Sequence, residues 1–239
     1  MRFNAHEAYR WCMAPPRALR AGLDWQDRGP DVALRTLTAA LRKAGGTLHL
    51  GSEAVELVME ESRCAGVVAL RDGARETMRA ANVLIADGGF QSNREMFERM
   101  VGGDFEAVFQ RGAANGTGAG LRMAATAGAQ IRGTDRFYGH LLCADSRRNP
   151  NVWPYPELDA IATAGLVVDD SGSRVADEGQ GGVFLTNALA RIKPMPRFHA
   201  VFDAAIWEGP GKSARIPANP LLEQAGGTVL RASTLAELA

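Results

Sequence analysis

From residue 31 onward, apolar residues recur at helical spacing: Val32, Leu34, Leu37, Leu41 and Ala44 form one stripe. Asp31 stands where an N-cap belongs, and Gly45-Gly46 end the pattern. The period then shortens. Residues 47–50 and 54–59 read as strands separated by a turn, and 64–70 reads as a third. Asp72-Gly73 turns the chain into 75–79, the expected antiparallel partner. The apolar run 83–86 stops abruptly at Asp87-Gly88-Gly89, which predicts a buried strand entering a tight turn. Paired glycines also let a backbone come close to something flat or bulky. Helix, strand, small meander and buried strand together predict an α/β arrangement with an inserted β-layer.

After this turn Ser92 is the expected helix cap, with Glu95 completing a capping box. Met96, Phe97 and Met100 supply the apolar face, and Gly102-Gly103 end the helix. Residues 111–120, with glycine at 112, 116, 118 and 120, form a loop opening into a helix over 121–129. Backbone N–H groups at such a place receive oxygen-rich or anionic groups, and the same pattern also serves as a plain helix entry. The loop lacks the third glycine of GxGxxG and the Lys-Ser/Thr ending of a P-loop. His140 follows, a lone histidine that reads as structural or functional. The proline-rich segment 147–156, with Trp153 and Tyr155, reads as an irregular connection and a domain boundary. Beyond it the expected elements are a strand over 164–170, a return strand over 173–178 and a flexible loop over 179–182. A short helix over 184–189 and strands over 198–203 and 226–230 follow. Thr234 and Glu237 form a capping box that opens a last helix. Residues 1–30, with Trp11 and Trp25 among several prolines and glycines, break every long period and read as covering material.

Charge changes the picture only by exclusion. Lys plus Arg and Asp plus Glu are equal at 27 each. No electrostatic footprint for nucleic acid or for an anionic membrane follows. No apolar run approaches the ~20 residues of a membrane span, and the N-terminus has no signal-peptide core. Cys12, Cys64 and Cys143 are scattered and form no CxxC pair, so the reading is reduced thiols, no metal site and a cytoplasmic protein.

Several motifs in order carry a resemblance. They are the segment 42–50 with Val55 and Leu57; Ile85-Ala86-Asp87-Gly88-Gly89-Phe90 with Asn93 and Met96; and the Thr117-Gly118-Ala119-Gly120 helix entry with 127–129. Residues 165–169 with 171–178, then Asn219-Pro220 with 234–238, complete the set. Over roughly residues 28–239 the chain resembles FAD-dependent dehydrogenases and reductases of the fumarate reductase/succinate dehydrogenase flavoprotein superfamily. The branch it is most similar to contains tricarballylate dehydrogenase-like and 3-ketosteroid dehydrogenase-like enzymes. The resemblance implies an α/β fold: a partial, Rossmann-like FAD-binding domain with a β-meander (1–145), and part of an α+β capping domain that closes over substrate (146–239).

It also implies a site. Ala54 and Val55 would present backbone groups to the adenine. Ala86, Asp87, Gly88 and Gly89 would run along the cofactor, and Thr117 and Gly118 would lie near the flavin. His140 would contact a carboxylate or carbonyl of the substrate. Glu178 would orient polar groups at the cleft or pair with a cation. There are departures from the family pattern. Asp87 stands where Thr is usual, and Ala119 where a carboxylate is usual. Gly182 stands where fumarate reductases carry a proton-delivering Arg, which argues against fumarate reduction itself. No GxGxxG follows a strand, and the closing helix is short, so a chain truncated at both ends is expected.

The parent reaction implied is hydride transfer between FAD and a C–C bond next to a carboxylate or ketone. This chain alone is expected to bind FAD poorly, to be inactive, and to self-associate through exposed surfaces. Two alternatives stand beside it: a non-catalytic remnant or binding module of the same fold, and a phosphate- or nucleotide-binding protein using residues 116–120.

Overall fold

The structure, a computed structural model, describes residues 29–110, 112–153, 155–213 and 217–238. The expectation for Trp11 and Trp25, and that for Cys12, lie outside the described residues. The first helix, α1 (Gly29–Lys43), carries its leucine stripe as anticipated, but it begins early enough to put Asp31 inside its first turn. The chain forms two compact units. One comprises Thr47–Phe137 and Ala190–Met195; the other comprises Tyr138–Leu189 and Pro196–Ala239 together with α1.

The first unit is built on an antiparallel meander of β1 (Glu53–Glu60), β2 (Arg63–Arg71) and β3 (Ala74–Arg79), in that order. The β2–β3 turn places Asp72 and Gly73 at φ 50° and 79°, the left-handed pair that a tight hairpin requires. β2 is central, and Ala65, Gly66, Val68 and Ala69 are its buried residues. β1 is an edge strand. Its register slips between Ala54 and Glu56, so Val55 is the extra residue of a bulge.

Two expected strands fail here. Residues 47–50 are irregular, and 83–86 pair with no strand among the described residues. Leu84 is 91% exposed, so the run is not buried. An apolar run becomes a strand only when another strand takes its backbone groups. Here pairing continues one residue past β3, at Ala80 N to Ala65 O, and stops.

Helix α2 (Arg94–Met100) starts one residue later than expected. Asn93 is its cap, accepting from Met96 N, while the Ser92 hydroxyl donates to Ala113 O. Met96, Phe97 and Val101 are buried, and Phe97 meets the rings of Phe105 and Phe137 at 5.9 and 5.7 Å. Gly103 packs directly on this ring and on Ala190 O. Helix α3 (Ala119–Thr126) follows the glycine-rich loop and packs on β1.

In the second unit, α4 (Asp159–Ala164) faces two apolar clusters. Ile161 joins Cys143, Val152, Trp207, Ala218, Leu222 and Ala225, while Ala162 joins Val167, Leu185 and Leu189. β4 (Leu166–Asp169) pairs antiparallel with β5 (Phe198–Val201). The expected return strand over 173–178 reduces to a single bridge, Val168 to Arg174. The chain then turns inward so that Glu178 can reach β4. The loop read as flexible over 179–182 is a one-turn 3-10 helix leading into α5 (Gly182–Ala190).

Short helices α6 (Ala204–Glu208), α7 (Pro210–Ser213) and α8 (Ala218–Gln224) complete the unit. Residues 226–230 form no strand; Thr228 N instead donates to Asp145. The last helix, α9 (Leu235–Leu238), has half of the expected box: Glu237 N donates to Thr234 Oγ1, while the Glu237 carboxylate accepts from Ser233 N, one residue before the cap. Cys64 is half-buried and Cys143 buried, both as free thiols.

Candidate functional site

In the first unit the Asp87-Gly88-Gly89 turn and the 116–120 loop form one assembly. Asp87 Oδ2 accepts from Gly120 N at 2.7 Å, and Gly89 O accepts from Gly118 N at 2.9 Å. Asp87 is therefore a capping carboxylate for α3, where the helix dipole favours a negative charge. Gly120 permits this closeness: a Cβ there would lie 2.3 Å from Ile85 Cγ2 and 2.5 Å from Asp87 Oδ1. Gly118 is buried under Met96 and Phe90 at φ +76°. Thr117 is exposed, and its carbonyl accepts from Arg122 and Asn93.

Most of the loop's N–H groups have acceptors within the protein. Gly116 N donates to Ala113 O and Thr117 N to Asn115 O, besides the two bonds above. A phosphate cradle needs those donors unengaged. Four of the five N–H groups that a phosphate site over 116–120 would use are therefore already engaged.

What remains open is the other side of the turn. Gly88 sits at φ +96°, and a Cβ there would meet nothing within 4 Å. Ala86 lies in the exposed segment that leads into it. Ala54 and Val55 lie on β1, the edge strand against which α3 packs. An edge strand with unpaired backbone groups, and a turn with no side chain on its open face, fit a flat cofactor held through main-chain contacts.

The second unit contains His140 and Glu178, each with carboxylate chemistry around it. The backbone brings His140 opposite Asp159: Leu158 N donates to Leu141 O, and Leu142 bridges Glu157. His140 Nδ1 lies 2.7 Å from Asp159 Oδ2, within hydrogen-bond distance, and Leu141 N donates to Asp159 Oδ1 at 2.8 Å. Glu157 Oε2 lies 3.6 Å from the same Nδ1. The imidazole is 15% exposed, with the Tyr138 ring edge-on at 4.8 Å.

Glu178 is 2% exposed and fully engaged. Its Oε1 accepts from Val167 N at 2.7 Å, and its Oε2 from Arg174 Nε and Nη2 at 2.8 and 2.6 Å. Burial opposes its charge, but Arg174 and the Val167 N–H outweigh burial and hold the carboxyl below its usual range. Of the two readings left open for Glu178, pairing with a cation is the arrangement observed. Gly182 also has a local reason: a Cβ there would lie 2.2 Å from Asp159 Cγ. No arginine fits that position while Asp159 holds His140.

Sequence reasoning missed Asp159, Glu157 and Tyr138. Asp159 is 19 residues from His140, across an irregular proline-rich segment, so no periodicity links them.

The sequence matches the FAD binding domain family over residues 13–221. The chain belongs to this family. No curated protein matches it significantly. Among solved structures it is similar to 3-ketosteroid-Δ4-(5α)-dehydrogenase from Rhodococcus jostii RHA1, determined with 4-androstene-3,17-dione. Identity is 20% and the TM-score 0.56, over 82% of this chain and 38% of that one. It is also similar to 3-ketosteroid Δ1-dehydrogenase from Sterolibacterium denitrificans, determined with 1,4-androstadiene-3,17-dione. There identity is 22% and the TM-score 0.51, over 64% and 28% of the two chains. A flavocytochrome c3 fumarate reductase in its open conformation aligns at 20% identity and a TM-score of 0.49, over 70% and 29%.

The chain thus spans less than two fifths of the length of these relatives. Family and fold agree with the flavoprotein resemblance drawn from the sequence motifs. Among the described residues, no helix is long and apolar enough to cross a membrane.

Proposed function

We propose that this chain is part of an FAD-dependent oxidoreductase that acts on a C–C bond next to a carboxylate or carbonyl. The observation that carries the proposal is the family match, which spans both the Gly88-Gly89 turn and the Glu178 hairpin. FAD, when bound, supplies the hydride chemistry, and the protein supplies binding and orientation. Residues 1–145 are assigned to the cofactor and 146–239 to covering the substrate.

In this reading the Val55 bulge, with Ala54 beside it, offers main-chain groups to the adenine. Residues 86–89 lie along the cofactor, and Asp87 locks them to α3. Gly118 ties the adjoining loop to the turn, and Thr117 is its exposed contact. His140 meets the substrate's carboxylate or carbonyl. Glu178 fixes the hairpin that leads from β4 to α5, through Val167 and Arg174. The substrate is a small carboxylate or ketone.

A second reading keeps the fold without flavin chemistry. It is favoured by Gly182, which leaves the position of the reductase arginine without a side chain.

An FAD titration with hydrogen-exchange readout separates them. The expected result is saturable quenching of flavin fluorescence, with amide protection confined to the neighbourhood of Val55 and residues 86–89. Gly88→Ala adds a Cβ that touches no protein atom, so its folding cost is that of the positive φ alone, about 1 kcal/mol. It should weaken FAD binding well beyond that effect on stability. Absence of quenching and protection at saturating FAD favours the reading without flavin chemistry.

A further inference from the structure

Asp159 has no role implied by the sequence motifs, and its contact with His140 determines what the imidazole can do. An ionised carboxylate only accepts, so the contact at 2.7 Å requires the proton of neutral His140 to sit on Nδ1. Asp159 cannot rotate away without cost. Its other oxygen accepts from Leu141 N at 2.8 Å, and the close approach of Gly182 walls its far side. The groups facing the ring are Asp159, Glu157 and Tyr138; the first two both lie on the Nδ1 side. Nε2 has no protein partner among the described residues.

We propose that Asp159 is a positioning residue that locks His140 in the Nδ1–H form, so that Nε2 is the one atom through which this histidine meets a carboxylate- or carbonyl-bearing ligand. When neutral, Nε2 presents its lone pair and can take a proton from an acidic C–H or O–H of the ligand. The electron pair of that bond stays on the ligand, and the ring becomes an imidazolium beside Asp159 and Glu157. When protonated, Nε2–H donates to a ligand oxygen. Either way the ring cannot turn its Nδ1 face to the ligand, because that face is held by Asp159. The inference rests on the proposed carboxylate or carbonyl substrate for the identity of the ligand, but its first test does not.

The experiment is ring-nitrogen NMR of the chain labelled with 15N-histidine, at a pH where the imidazoles are neutral. His140→Gln assigns the His140 signals among the four histidines. The expected wild-type pattern is a protonated Nδ1 and a pyridine-type Nε2, the opposite of the form that free histidine prefers. Asp159→Asn keeps one acceptor for Leu141 N but turns an amide N–H₂ toward the ring. It should shift His140 to the Nε2–H form, and Asp159→Glu should restore part of the original pattern. Thermal unfolding of each variant verifies that it is folded.

In a second arm, run at a pH where the imidazoles are protonated so that Nε2–H can donate, sodium fumarate and 2-cyclohexenone are titrated separately. At least one should move the Nε2 signal, with roughly tenfold weaker apparent affinity in Asp159→Asn, the equivalent of one charge-assisted hydrogen bond. An Nε2–H wild type, or a tautomer unchanged in a folded Asp159→Asn, overturns the positioning role. A correct tautomer with no response to either probe overturns the ligand-facing role. Both results are independent of whether FAD binds.

Discussion

Glu178 shows how one buried charge is tolerated, and what it makes the fold depend on. Leaving water raises the cost of its ionised form, and two Arg174 N–H groups with the Val167 N–H offset that cost. Because the folded-state pKa lies below the unfolded value of about 4.3, the unfolded chain binds the extra proton as pH falls. The stabilisation is fully present above the unfolded pKa and is lost as pH drops through the folded one. Urea unfolding followed from pH 6 down to pH 3 should therefore show a steep loss of stability, and Glu178→Gln should flatten that slope. Asp145, lowered by the Cys143 thiol and the Thr228 N–H, and Asp169, lowered by Ser171, leave a residual slope in the variant. An unchanged slope would show that the pair does not couple to folding. The sequence exposed Glu178 as a charged residue beside a hairpin. It did not expose the burial, which depends on the chain turning back after one bridge to β4.

At the scale of elements, what the sequence revealed followed local chemistry. The Asp72-Gly73 hairpin, the α1 leucine stripe and the Thr234–Glu237 cap each carry their instruction within a few residues, and each formed. Residues 83–86 failed as a strand because their instruction requires a partner that no local pattern supplies. Helices α4 and α6 to α8 were missed because each is seven residues or shorter, and their apolar contacts reach across the unit. The His140–Asp159 pair belongs to the same class: two extended segments, joined at Leu141 and Leu158, create it. The start of α5 comes close to Asp159 at the start of α4. Gly182→Ala introduces a Cβ that would sit 2.2 Å from Asp159 Cγ, so a backbone shift or a rotated carboxylate must follow. Overpacking of this kind costs about 1–3 kcal/mol. Denaturant unfolding should register that loss, and the His140 ring signals should broaden or change tautomer in the same variant. Full retention of both would mean that α5 can recede from α4 without cost.

For the whole molecule, the decisive feature is how much apolar surface faces solvent. Leu34 and Leu37 on α1 are 66% and 64% exposed, and Leu84, Leu230 and Leu235 more than that. Lone exposed leucines are ordinary, but those of α1 recur on one helix at helical spacing. The charge balance offers little counterweight, because 27 basic and 27 acidic side chains leave no net repulsion between copies. The chain is therefore expected to self-associate at micromolar concentration. The association should strengthen or persist as salt is raised, since burial of apolar surface drives it and screening does not weaken it. Light scattering across a dilution series tests this. Replacing Leu34 and Leu37 together with Lys removes two adjacent leucines from the α1 stripe and adds like charges. It should move the distribution toward monomer with little change in thermal unfolding, because neither side chain is buried. A wild-type chain that stays monomeric throughout the series would remove the apolar surface as a driver of assembly. A salt-labile oligomer would assign assembly to charged contacts instead.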